Sequence, residues 1–174
     1  MVKHFLTMFD LTATEIEALL ERSAWLKARQ KSGKPHRPLE GKSLGMVFEK
    51  SSTRTRVSFE VGMFQLGGHA LNLTSQASQL GRGATYEDTA RVLSRYVDGI
   101  MMRTFEQERV ERVASAASVP VINGLSDLLH PCQIMTDLFT VVENRHDLRT
   151  QKIAWIGDGN NMANTWIQAA ILLG

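Results

Sequence analysis

The sequence predicts an α/β fold, a mostly parallel sheet with helices on both faces in an α/β/α arrangement. Two observations carry this. Short apolar runs of strand length alternate with helical stretches, which is the rhythm of right-handed βαβ units. Polar residues with unusual chemistry also recur just after those runs, at the carboxyl ends where open α/β sheets gather their ligands.

Each element has its own signal. Thr12-Ala-Thr-Glu15 is a capping box, and Ile16, Leu19, Leu20 and Leu26 share a helix face before Gly33 and Pro35 end it. Leu44–Phe48 reads as a short buried strand. A helix from about Thr53 to Leu66 stops at Gly67-Gly68, and His69–Leu73 is the next strand. Residues 74–84 are rich in Ser, Gln and Gly without periodicity, the signature of an exposed loop. Thr85-Tyr-Glu-Asp88 caps a helix reaching about Val97. Gly99–Arg103 is a strand ending in an arginine, 106–117 an amphipathic helix, and Val119–Ile122 a strand. Pro131 suits the first turn of a helix to about Glu143. The polar stretch 144–151 is the expected boundary, giving a domain 1–147 and the start of a second at 148–174. There 152–156 reads as a strand, with Asn161 to Leu173 helical behind it.

Composition narrows the function. The length suits one compact domain, or one domain plus the beginning of another. With 43% apolar residues the chain can bury a core. Twenty basic against 18 acidic residues leave a net charge of +2, no general reason for nucleic-acid or membrane binding, so anion recognition must be local. A single cysteine, Cys132, excludes an intrachain disulfide and a cysteine-cluster zinc site. The first residues lack a signal-peptide pattern and no apolar stretch is long enough to span a bilayer, so a cytoplasmic protein is expected.

Ser52-Thr53-Arg54-Thr55-Arg56 is the densest donor chemistry in the chain. It follows a buried strand and opens a helix, where free N–H groups and the helix dipole favour an anion. Hydroxyls at 52, 53 and 55 add donors, and a guanidinium grips two phosphate oxygens at once. Two solvated arginines behind a serine cap are the competing reading, and local chemistry leaves both open. Other phosphate motifs fail: Gly41-Lys42-Ser43 lacks the leading P-loop glycine, and Gly157-Asp-Gly159 has Met162 where a dinucleotide fingerprint needs its third glycine.

Arg103 ends a buried strand and so points into the crevice. His130, just before a proline-started helix, is placed to donate to a carbonyl oxygen, and Gln133 to bond a carbonyl or amide group. A Cys132 nucleophile with His130 as base is disfavoured, because adjacent residues on such a turn seldom face each other; a buried thiol is the preferred reading. Gln79 is unremarkable from spacing alone and Arg82 reads as a solvated charge; Asp158, Asn160 and Asn161 read as turn and cap residues or as polar recognition, and spacing does not decide between them.

Together these segments resemble the carbamoyltransferases, and within them the ornithine type. The anchors are Phe48-Glu-Lys-Ser-Ser-Thr-Arg-Thr-Arg-Val-Ser-Phe-Glu60, Ser78-Gln-Leu-Gly81, Asp88-Thr-Ala-Arg-Val-Leu93, His130-Pro-Cys-Gln133 and Gly157-Asp-Gly-Asn-Asn-Met162. The resemblance implies transfer of a carbamoyl group from carbamoyl phosphate to the side-chain amine of L-ornithine, with no metal and no organic cofactor. It implies that Ser52, Thr53, Arg54 and Thr55 hold the phosphate. Arg103, His130 and Thr55 would polarise the carbonyl, and Gln133 would read the amino group within the His130-Pro131-Cys132-Gln133 segment. Gln79 would reach the adjoining site of a homotrimer, and Asn161 would bind ornithine. Members of the family are roughly twice this long, with a complete second domain. Their Asp-x-x-x-Ser-Met and His-Cys-Leu-Pro segments and a late arginine have no counterpart here. The chain is therefore expected to bind the anion, to be inactive or nearly so alone, and to leave apolar surface unpartnered over 152–174. A carbamoyltransferase for another amine, putrescine or N-acetylornithine, and a non-catalytic anion-binding module are the alternatives.

Overall fold

The computed structural model describes residues 2–74, 83–145 and 147–174. Its strands are β1 (Ser43–Phe48), β2 (His69–Thr74), β3 (Gly99–Arg103) and β4 (Val121–Leu125). Helices are α1 (Ala13–Lys31), α2 (Thr53–Gln65), α3 (Tyr86–Leu93), α4 (Gln107–Ala116), α5 (Pro131–Arg145) and α6 (Asn161–Leu173). All four strands run parallel in the order β2-β1-β3-β4. The chain steps one way from β1 to β2, then returns past β1 to β3 and β4. Right-handed crossovers made in opposite directions place their helices on opposite faces.

The core follows that rule. Leu44, Met46, Phe48 and Met101 pack with Phe59 and Met63 of α2 on one face. Val47, Ile100, Met102 and Val121 pack on the other face against Ala90 of α3 and Val110, Val113 and Ala114 of α4. Consecutive residues of one strand thus serve two cores, which is why β1 and β3 read as unbroken apolar runs. A third cluster joins Ile16 and Leu20 of α1, Met8, Ile134 and Leu138 of α5, and Ala169 of α6. Each fully buried side chain of this size contributes about 1.5–3 kcal/mol of transfer free energy.

Local signals hold where expected. Thr12 and Glu15 exchange their capping-box bonds at 3.2 and 2.9 Å. Gly68 follows α2 where the backbone passes close to its neighbours. A Cβ there would sit 2.5 Å from Met63 Cε and 3.1 Å from the Lys42 carbonyl oxygen. The outer edge of β4 is covered by the N-terminal segment, since Phe5 N–H donates to Val121 O and Asn123 N–H to Phe5 O, both at 2.8 Å.

Three expectations need correction. The strand expected at Val119–Ile122 runs from Val121 to Leu125, because Pro120 has no N–H for the ladder and contributes only its carbonyl, bonded by Ile100. The helix expected to reach Val97 ends at Leu93, capped by Ser94. Residues 152–156 form no strand. A strand exists only by pairing, and this run meets no free sheet edge among the described residues. Ile153, Trp155 and Ile156 remain 53, 45 and 97% exposed.

Candidate functional site

The reversal of chain direction leaves a crevice between the carboxyl ends of β1 and β3, the switch point at which parallel sheets bind ligands. Phe48 lies in register with Arg103, so the β1–α2 loop and the end of β3 open side by side. Glu49 N–H donates to Arg103 O at 2.9 Å and ties the two together.

Ser52 is the N-cap of α2. Its Oγ accepts from Thr55 N–H at 3.2 Å and donates to Thr55 Oγ1 at 3.1 Å. Arg103 Nη1 donates to the same Thr55 Oγ1 at 3.1 Å. Cap and crevice arginine therefore form one chain of bonds, and Ser52 takes the role of helix cap. The N–H groups of Thr53 and Arg54 lie in the first helical turn, where no intrahelical acceptor exists.

Charge is distributed unevenly around this mouth. Lys50 is paired with Asp127, and Arg56 with Glu60 at 2.9 Å. Among the described residues no carboxylate pairs with Arg54 or Arg103. Burial, and then the like charge of Arg54, lower the Arg103 pKa, and Arg103 Nε is buried without a hydrogen-bond acceptor. Two uncompensated guanidinium groups beside a helix N-terminus are a seat for a compact dianion, whose binding would relieve their repulsion.

His130 precedes Pro131 and caps α5, its carbonyl accepting from Gln133 and Ile134 N–H. Burial and the nearby Arg103 charge push its pKa down to about 4, so it is a neutral imidazole near pH 7. Its Nδ1 is buried and unbonded. Neutral imidazole beside cationic guanidinium is a matched pair of donors for a polarised carbonyl oxygen. Pro131 is buried at the first position of α5. Cys132 lies behind the site with Sγ on Asn123 O at 3.4 Å, and burial raises the thiol to about 12, which fits an inert thiol. Exposed Gln133 donates through Nε2 to Asp137 at 2.9 Å. Asn161 opens α6 and donates through Nδ2 to Ser126 O at 2.8 Å. Gln79 and Arg82 lie outside the described residues.

Sequence reading assigns Glu49 no role, yet its carboxylate, 11% exposed, is a hub. It accepts from Thr104 Oγ1, from Tyr86 Oη at 3.0 Å and from Arg109 Nη1 at 3.2 Å. These partners come from the residue just after β3, from α3 and from α4, so only the folded sheet reveals them. An apolar groove of about 530 Å³, lined by Leu39, Phe59, Met63 and Ile122 among others, lies at the opposite end of β1 and β3, away from this chemistry.

Residues 3–143 match the family described as aspartate/ornithine carbamoyltransferase, carbamoyl-P binding domain. Ornithine carbamoyltransferase of Geobacter sulfurreducens is 60% identical over all of this chain, which spans 57% of that relative. The crystal structure of ornithine carbamoyltransferase from Burkholderia thailandensis superposes with a TM-score of 0.95 at 50% identity, over 99% of this chain and 59% of that one. The enzyme from Pyrococcus furiosus does so with a TM-score of 0.95 at 53% identity, over 99% and 55%.

Proposed function

Because the chain belongs to the aspartate/ornithine carbamoyltransferase family through its carbamoyl-phosphate-binding domain, we propose that the crevice between β1 and β3 holds carbamoyl phosphate for transfer to L-ornithine. The observation that carries this is the pair of uncompensated guanidinium groups, Arg54 and Arg103, at the Ser52-capped start of α2.

In the reaction the amine nitrogen attacks the carbamoyl carbon and a C–N bond forms; the bond from that carbon to the bridging oxygen breaks, and phosphate departs with the oxygen and takes up the proton the amine loses. Ser52, Thr53, Arg54 and Thr55 hold the phosphate throughout, so the leaving group is stabilised where it already sits. Negative charge gathers on the carbonyl oxygen in the transition state, where Arg103 supplies charge and neutral His130 a hydrogen bond. One such preorganised donor is worth about 3–4 kcal/mol. Gln133 reads the carbamoyl amino group and Asn161 the ornithine.

The chain divides near residue 147 into the carbamoyl-phosphate domain and the start of the amine-binding domain. It acts in the cytoplasm as a homotrimer assembled through the first domain, with Gln79 reaching the adjoining site. In support of association, Val57, Val61 and Phe64 form an apolar stripe along α2, with Phe64 79% exposed. No helix among the described residues is long and apolar enough to cross a membrane.

Titration calorimetry with carbamoyl phosphate on wild type and Arg54→Ala tests the cradle. Loss of a charge-assisted contact is expected to weaken binding by roughly ten- to a hundredfold, and equal binding by both proteins would refute the assignment. A citrulline assay on this chain alone should show little turnover, since the chain spans 57% of its relative.

A further inference from the structure

His130 is presented by the loop from Ser126 to His130, between β4 and α5. Within the loop, Ser126 N–H donates to Leu129 O at 2.9 Å and Leu129 N–H to Ser126 Oγ at 3.0 Å, closing a turn. Three other backbone groups, at 126, 128 and 130, find their partners on the first turns of α6. Asn161 Nδ2 donates to Ser126 O at 2.8 Å, Asn164 Nδ2 donates to Leu128 O at 3.2 Å, and His130 N–H donates to Thr165 Oγ1 at 2.9 Å.

Thr165 is the innermost of the three. It is fully buried, and its hydroxyl donates to the Asn161 carbonyl at 2.6 Å. That bond commits the hydroxyl proton to the helix and turns the oxygen lone pairs toward His130 N–H, so donor and acceptor roles are fixed. On its other side His130 is held by α5 through its carbonyl. Both peptide groups flanking the Cα of His130 are thereby pinned, and only side-chain rotation remains. The helix that does the pinning is itself seated by Ala169 against Met8, Ile134 and Leu138.

We propose that Thr165 is a positioning residue for the carbamoyl contact made by His130, the first turns of α6 serving as a polar template for the loop that carries the histidine. The proposal rests on the reading of the crevice as a carbamoyl phosphate site, and it deepens that reading. Inorganic phosphate engages the Ser52–Thr55 cradle alone, whereas carbamoyl phosphate also engages His130. The ratio of the two affinities therefore reports the alignment of His130.

Both affinities are measured by calorimetry on wild type, Thr165→Val and Thr165→Ser. Valine keeps the shape and removes the acceptor, while serine keeps the acceptor. The expected result is a roughly tenfold loss of carbamoyl phosphate affinity in Thr165→Val, phosphate affinity unchanged, and wild-type behaviour in Thr165→Ser. An unchanged ratio in Thr165→Val overturns the proposal and leaves the carbamoyl phosphate site standing. Wild type that does not favour carbamoyl phosphate over phosphate removes the site itself. Hydrogen exchange of the His130 amide in wild type supplies a readout independent of ligand and of whether the valine variant folds. Protection is expected, and exchange as fast as in an open loop overturns the proposal.

Discussion

Acidification from pH 7 to pH 5 is expected to expose the cost of burying His130. The ordinary imidazole value is 6.5, and burial together with the Arg103 charge lowers it to about 4 in the folded chain. Between those values the unfolded chain binds a proton that the folded chain refuses. Stability is therefore complete above about pH 6.5, falls as the pH drops toward about 4, and changes no further through this group below that. The full difference is about 3 kcal/mol at 1.36 kcal/mol per unit, and about 2 kcal/mol of it is lost by pH 5. Urea unfolding of wild type and His130→Asn at the two pH values isolates this contribution, because asparagine keeps a polar group and does not titrate. Wild type should lose about 2 kcal/mol more than the variant on going to pH 5. Equal losses, or an NMR titration midpoint for His130 above 6, would refute the placement of an uncharged imidazole beside Arg103.

Four further outcomes follow from the geometry. Saturating inorganic phosphate offsets the Arg103 charge and should raise the His130 midpoint by up to about one unit, measured by NMR. Glu49→Gln removes the more buried of the two carboxylates paired with Arg109, leaving Glu106, and weakens the bonds from Thr104 and Tyr86. A loss of roughly 1–3 kcal/mol in urea unfolding is expected, below that of a fully buried pair because Arg109 is 31% exposed. Gly68→Ala forces a methyl group toward the Lys42 and Leu39 carbonyl oxygens and should cost about 1–3 kcal/mol in thermal unfolding, with phosphate affinity retained. Cys132, its thiol raised to about 12, should react with a disulfide reagent at pH 8 roughly a hundredfold or more slowly than in the unfolded chain.

What could be read in advance had local or periodic causes. The capping box at Thr12, the unbroken runs of β1 and β3 and the Gly67-Gly68 stop each act within a few residues. The carboxyl-end rule places Ser52, Arg103 and His130 along one edge of the sheet; it places Asn161 there as well, behind a strand at 152–156 that does not form. The misread segments differ in cause. Whether 152–156 pairs depends on a free edge elsewhere, whereas the start of β4 has a local cause in Pro120, which has no N–H for the ladder. In the site itself, the Thr55 bond to Arg103 spans 48 positions and the Arg109 bond to Glu49 spans 60. Thr165, in an apolar stretch of helix, gives no signal at all; its significance comes from a loop 35 positions earlier.

The N-terminal segment that covers β4 has a consequence for the order of folding. Val121 N–H donates to His4 Nδ1 at 3.1 Å across 117 positions, beside the Phe5 bonds to the same strand. Closing so long a span carries a large entropic cost before any contact compensates it, whereas β1 and β2 are joined through a single helix. The segment around His4 and Phe5 should thus be among the last to dock, leaving β4 with an open edge until it does. During that interval the growing chain presents an unpaired strand to its neighbours, and dilute conditions or rapid closure, more than final stability, should decide the yield of soluble folded protein.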